Sequence, residues 1–243
     1  MAFRVIYYIS MACPTVERSL EMIEKYIAAG ADSFQIDMPS SDPYGETDFV
    51  KKCMHDALAA HGDYEYYMDA FRTLRRNHPD LQISVVVYKD VIDTIGIEKF
   101  TQFCTEINMY SVRLAGNDER EAYTQYMRSH GLYTVEGVGY YMPEEHIQAV
   151  LGLNNIVTLR TKRKTEAPNR GFETWEQRIG YLRSRGVTAP IFAIADMKGA
   201  EDILKAKAGG ADGVIVGNVL MQLWNDPDAF AAKLQEIQAC AEK

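Results

Sequence analysis

The chain has 243 residues, 47% hydrophobic and 25% charged, with a formal net charge of −8. That length suits one barrel or one large α/β unit with a sizeable core, and the composition is too polar for a membrane span. The acidic balance also argues against a nucleic-acid footprint, which needs clustered Lys and Arg, so neither nucleic acid nor a membrane is expected as a partner.

The N-terminal MAFRVIYYIS runs directly into an apolar strand without a small-residue cleavage site, which predicts a cytoplasmic protein. From there β-rich runs of about six residues alternate with amphipathic stretches, the pattern of βαβ units around a parallel sheet. Strands are expected at Val5–Ser10, Ser33–Asp37, Ile83–Tyr88, Ser111–Ala115, Tyr133–Val138, Ile156–Arg160, Ile191–Ala195 and Gly213–Val216. The first helix, Val16–Ala29, sets Leu20, Ile23 and Ile27 on one face, and Gly199–Ala208 does the same with Ile203, Leu204 and Lys207. Tyr64, Tyr66, Tyr67 and Phe71 have helix-face spacing and read as packing or an interface. Cys13, Cys53, Cys104 and Cys240 lie far apart without CxxC spacing and read as buried thiols.

Two joints are nearly the same text, AAGADSFQID at Ala28–Asp37 and KAGGADGVIVGN at Lys207–Asn218. In each, a glycine suited to a left-handed helix cap leads into a buried strand, as when a helix returns to a parallel barrel. With no linker or composition shift, the expectation is a single (β/α)8 TIM-barrel domain over residues 1–243.

The segment PSSDP at Pro39–Pro43, AGAD before the second strand, His78–Pro79, VVVYKD with Tyr88, Asn169–Gly171 and ADGVIVGN together resemble the tryptophan synthase alpha-subunit family, in order and nearly without gaps. The resemblance implies that family's barrel, here without its N-terminal helix. It further implies a cofactor-independent lyase that splits indole-3-glycerol phosphate, and a pyridoxal-phosphate beta subunit as partner, contacted through the Pro39–Pro43 loop. At the position of the family's proton-donating glutamate this chain has Gln35, and an amide cannot supply a proton of useful acidity. The family's second carboxylate corresponds to Glu46, and its third-strand tyrosine is kept as Tyr88. The phosphate pocket departs as well. Asp196 stands in place of a glycine after the seventh strand and Glu166 in place of another after the sixth, while Gly217 and Asn218 remain as donors.

Side chains two apart on a strand face the same way, so a core-facing Gln35 implies a core-facing Asp37 about 6.6 Å further on. Asp37 then reads either as a relocated acid or base or as a carboxylate capping the turn. Arg113 replaces an apolar family residue and needs partners, for which Asp37, Glu136 and Asp196 are the candidates. Those three acids also offer oxygen ligands for a divalent cation, but no histidine sits at a strand end and no metal is expected. The only basic run, Arg160–Gly171, matches the family's mobile lid, whose ordering threonine corresponds to Thr165, with Arg160 at the strand end as an anion contact. Together these residues predict acid–base cleavage or formation of a carbon–carbon bond in a small metabolite, without an organic cofactor. Glu46, Asp37 and Tyr88 would move protons and Gln35 would orient the substrate. Arg113 or Arg160 would hold an anion. The alternative is a catalytically silent paralogue that binds a metabolite or a beta-type partner subunit; the partner expected in either case is such a subunit or a second copy of the chain.

Overall fold

The computed structural model describes residues 2–116, 120–162, 166–195 and 197–242. Its contacts divide it into two compact units, Tyr8–Thr134 and Met1–Tyr7 with Val135–Lys243.

The unit Tyr8–Thr134 takes the end of β1 (Arg4–Ser10) and then α1 (Val16–Ala28), β2 (Ser33–Asp37), α2 (Asp48–Ala60) and α3 (Tyr64–Asn77). It continues with β3 (Gln82–Tyr88), α4 (Lys89–Ile95), α5 (Ile97–Glu106), β4 (Ser111–Ala115), α6 (Glu121–Ser129) and β5 (Tyr133–Thr134). Strands β2, β3, β4 and β5 pair in parallel in that order. The other unit takes the start of β1, then β6 (Glu136–Val138), α7 (Glu144–Val150), β7 (Val157–Arg160), α8 (Trp175–Ser184), β8 (Ile191–Ile194), α9 (Ala200–Ala208), β9 (Gly213–Val216) and α10 (Pro227–Glu242). There β1 pairs with β9, β9 with β8, β8 with β7 and β7 with β6, all parallel. The strands lie where the apolar runs predict them, except that the fifth, Tyr133–Val138, is present as two pieces interrupted at Val135.

The two repeated joints have the same physical form. Gly30, at φ 98°, donates its N–H to the Ile27 carbonyl while Ala31 N–H reaches Tyr26 O. Gly210, at φ 90°, donates to Lys207 O while Ala211 N–H reaches Ala206 O. Both helices therefore close through a left-handed cap that satisfies their last carbonyls and turns the chain into a strand.

The buried stripe of α1 is rotated from the predicted one. It runs through Val16, Ser19, Met22, Ile23 and Tyr26, because the Tyr26 ring packs edge-on against Phe34 of β2 at 5.9 Å; Leu20 and Ile27 lie at its margin. In α9 the buried side chains are Ile203 and Ala206, an i, i+3 pair, and Leu204 turns outward, since adjacent positions cannot share one helix face. The aromatic group of α3 is packing, as its spacing predicts: Tyr64, Tyr67 and Phe71 are buried, and Phe71 meets Phe103 of α5.

The reading of the cysteines needs one correction. Cys104 and Cys240 are buried thiols, but Cys13, after β1, is joined to Cys53 of α2 by a disulfide across 40 residues. Sequence spacing alone gave no sign of this pairing, because the fold brings the loop and the helix together. Among the described residues, no helix is long and apolar enough to cross a membrane.

Two glycines test the packing in opposite directions. A Cβ on Gly213 of β9 would come within 2.4 Å of the Arg4 carbonyl oxygen and 2.4 Å of the Phe192 ring, whereas one on Gly180, exposed within α8, meets nothing within 4 Å. Gly213→Ala is expected to lower unfolding stability by about 1–3 kcal/mol through overpacking. Gly180→Ala should raise it by about 0.5–1 kcal/mol through helix propensity. Urea unfolding of both variants checks the two signs.

Candidate active site

Because Phe34 faces α1, strand alternation turns Gln35 and Asp37 to the opposite face of the sheet. Parallel register extends that face across three strands. Gln35 lies opposite Ser84 and Ser84 opposite Ser111, forming one row; Asp37 lies opposite Val86 and Val86 opposite Arg113, forming the next. Tyr88 follows one step further along β3, opposite Ala115. Within the first row Ser111 Oγ donates to Ser84 Oγ at 3.1 Å.

Asp37 is fully buried. The Tyr8 hydroxyl donates to its Oδ2, and the Met11 N–H donates to its Oδ1 at 3.3 Å. Burial pushes the Asp37 carboxyl well above the usual carboxylate range and the Glu46 charge adds to the rise; the hydrogen bonds from Tyr8, Ser10 and Met11 only oppose it. Burial likewise pushes the Tyr8 phenol up, with the Asp37 charge second. Glu46, in the loop between β2 and α2, accepts a hydrogen bond from Tyr88 OH at 3.2 Å. Burial raises its carboxyl too, against the Tyr88 hydrogen bond and the charges of Arg113 and Lys51. The structure thus brings Asp37, Glu46 and Tyr88 into one electrostatic neighbourhood, as the sequence predicts, and Arg113 acts there on Glu46 and Tyr88.

Two carboxyls with raised and unequal affinities for protons, one fully dry and one beside a cation, are the arrangement from which an acid and a base can be drawn at neutral pH. Tyr8, Ser10, Ser84 and Ser111 were not singled out from the sequence. The period-2 alternation of β1 puts Tyr8 and Ser10 on one face, but their meeting with Asp37 depends on strand neighbours that no local pattern states.

The remaining predicted residues belong to the other unit. Arg160 and Glu166 form a two-pronged ion pair, Nη2 to Oε1 at 2.5 Å and Nη1 to Oε2 at 3.1 Å. Glu166 is therefore neutralised by Arg160. The guanidinium of Arg160 is already engaged by this carboxylate. Below it, Arg178 of α8 is buried, donates to the carbonyls of Arg160 and Thr174, and lies over the rings of Trp175 and Tyr140; burial brings it down to about 10. Gly217 is exposed after β9, and Asn218 Oδ1 accepts from Gln222 Nε2 at 3.1 Å. Glu136 is buried on β6. Thr165 and Asp196 lie outside the described residues.

Comparison with known proteins places these features in context. A family model described as Tryptophan synthase alpha chain matches residues 2–243. The tryptophan synthase alpha chain of Pectobacterium atrosepticum is 24% identical over 237 residues, covering 93% of this chain and 87% of the relative. That of Escherichia fergusonii is 23% identical, covering 94% and 88%. Tryptophan synthase subunit alpha from Legionella pneumophila superposes with a TM-score of 0.82 at 21% identity, over 99% of this chain and 93% of that one. A tryptophan synthase complex from Pyrococcus furiosus gives 0.80 at 16% identity, over 98% of each chain. The likeness to these structures shows the fold, a (β/α)8 TIM barrel, as the alternation of strands and helices predicts.

The raised Asp37 carboxyl has a measurable consequence. The folded protein holds that proton to higher pH than the unfolded chain, which releases it near pH 4. The stability this contributes is complete below about pH 4 and is lost as the pH rises toward the raised value. Asp37→Asn cannot ionise. Urea unfolding at a series of pH values is expected to show the parent losing stability relative to Asp37→Asn as the pH climbs; a difference that stays constant would remove the assignment of Asp37 as a neutral buried acid.

Proposed function

Since the chain belongs to the tryptophan synthase alpha chain family, we propose that it is a cofactor-independent lyase that cleaves or forms a carbon–carbon bond in a small metabolite other than indole-3-glycerol phosphate. The observation that carries this reading is the fully buried Asp37, which stands two residues beyond Gln35 on the same strand face. Retro-aldol cleavage needs a base to take the hydroxyl proton and an acid to protonate the released carbon. Asp37, whose burial strengthens its hold on its proton, is the acid; Glu46, oriented by the Tyr88 hydroxyl, is the base. Gln35 hydrogen-bonds the substrate but cannot protonate it. The reaction ascribed to the family's glutamate thus lacks its donor here, while a different donor stands one strand step away. Arg113 supplies a positive charge on the same face. Within the other unit, Gly217 and Asn218 offer backbone and side-chain donors suited to an anionic group, and Arg160 at the end of β7 is paired with Glu166.

A second reading, a silent paralogue that serves a partner, draws on the Pro39–Pro43 segment. Asp90 pins it: Ser40 Oγ reaches Oδ1 at 2.7 Å, and Ser41 N and Oγ reach Oδ2 at 2.8 and 2.7 Å. Tyr64 OH also donates to the Pro39 carbonyl, and Tyr44 beside the segment is 56% exposed. A preorganised surface loop of this kind suits a beta-type pyridoxal-phosphate subunit.

Indole release from indole-3-glycerol phosphate should be at background for the parent and should rise in Gln35→Glu. Across a panel of aldol substrates, Asp37→Asn and Glu46→Gln are expected to lower kcat/KM by about 10²–10⁴ on whichever member turns over. Indole release by the parent at the rate of ordinary family members would sink the reading. Co-purification with a beta-type subunit, together with no turnover across the panel, would instead favour the silent paralogue.

A further inference from the structure

Gln35 shares its row with Ser84 and Ser111, one strand step from Asp37, and the two serines have no part in the proposed reaction. Three adjacent strands contribute the row in register, so it makes a floor about 10 Å across at the ordinary strand spacing. Every side chain in it is polar. Gln35 is 7% exposed and Ser84 6%, so both are withdrawn from bulk water. The serines bond to each other, but among the described residues the Gln35 amide has no hydrogen-bond partner in the protein. The amide atoms keep a little solvent access, so this end of Gln35 is open to a ligand, and its N–H₂ donors and its carbonyl acceptor suit one that both accepts and donates. A hydroxyl group does both. One row further along the same face stands Arg113, whose charge reaches Glu46 and Tyr88.

We infer that this site takes a small aliphatic carboxylate bearing one or more hydroxyl groups, with the carboxylate at Arg113 and the hydroxyls at the Gln35–Ser84–Ser111 floor, in place of a flat aromatic ring. The inference rests on the reading of Asp37 and Glu46 as the reacting pair, since Asp37 stands one strand step from the floor on the same face. An aromatic ring seated here would cover the amide without satisfying it, and a site built to hydrogen-bond its substrate discriminates strongly against an analogue that lacks the matching group. Arginine presents a planar fork that fits a carboxylate with two parallel bonds, which a neutral polyol cannot return. The floor and the cation together therefore select a ligand that is both hydroxylated and anionic.

Calorimetric titration of the full chain tests this with D-glycerate and D-erythronate as probes, against glycerol, propionate and indole. The two hydroxy acids are expected to bind saturably and more tightly than glycerol, which lacks the charge, than propionate, which lacks the hydroxyls, and than indole. Arg113→Met should weaken hydroxy-acid binding by about 100-fold, as for loss of a charged hydrogen-bond pair, and Arg113→Lys by less. Gln35→Leu should weaken it by about 10-fold and improve indole binding; the double variant Ser84→Ala/Ser111→Ala should weaken hydroxy acids without affecting propionate. Retained thermal unfolding midpoints identify the variants to be compared, and Arg113→Lys and Gln35→Glu serve where the apolar substitutions do not fold. Tighter binding of indole than of the hydroxy acids by the parent, no saturable binding of either hydroxy acid, or binding unchanged in Arg113→Met overturns the inference. Binding with the expected variant pattern but no turnover of any hydroxylated carboxylate upholds the substrate class and removes the lyase reading. Turnover of a panel substrate that is indifferent to Arg113→Met and Gln35→Leu does the reverse.

Discussion

A carboxyl group with no access to water sets the terms for the polar face of this protein. Asp37 is wholly enclosed, and an ionised carboxylate there would need the Tyr8 hydroxyl and the Met11 amide to replace an entire hydration shell. Those hydrogen bonds oppose the loss of solvation without cancelling it, so the carboxyl holds its proton more tightly than an exposed aspartate does. Much follows from that. Tyr8 at the end of β1 is committed to β2, the turn after β1 must present Met11 N–H inward, and Glu46 is left as the acid closer to the positive charge of Arg113. Like-charge repulsion between two nearby carboxyls then acts on the drier one, which is how two chemically similar groups come to hold different roles.

The other unit follows the same rule by a different route. Arg160 and Glu166 neutralise each other through two parallel hydrogen bonds, and Arg178 beneath them is held by carbonyl oxygens and ring faces without a carboxylate. Its lowered affinity for its proton is the cost of that placement. The Arg160–Glu166 pairing means that an incoming anion would compete with Glu166 for the Arg160 guanidinium. The Cys13–Cys53 disulfide gives the turn after β1 a covalent tie to α2, close in sequence to the Met11 amide that supports Asp37.

Much of the architecture was legible because it rests on local rules. Apolar runs bounded by glycine gave the strands to within a residue or two, and the repeated joints at Gly30 and Gly210 share one cap geometry because both sequences supply a residue that tolerates positive φ. Helix faces were less legible. In α1 the stripe through Leu20 and Ile27 was as apolar as the one through Val16 and Tyr26, and only contact with Phe34 distinguished them. Of the site, the alternation of β2 was enough to align Gln35 with Asp37, and Glu46 and Tyr88 were found through resemblance to a family and now share a hydrogen bond. Tyr8, Ser84, Ser111 and the pairing of Arg160 with Glu166 were not found, since each depends on which strand or loop lies alongside.

The sequence by itself determined the alternation of strands and helices, the family, and the chemical kinds of residue on each strand, because these follow from local periodicity and from residue identity at matched positions. It also placed an amide, Gln35, two residues before a carboxyl, Asp37, on one strand, which no fold can alter. Tertiary structure alone decided which charges are paired and which proton is held. Proton affinity depends on the loss of water and on the distance to other charges, and both arise only when β1, β2, β3 and the loop carrying Glu46 are brought together.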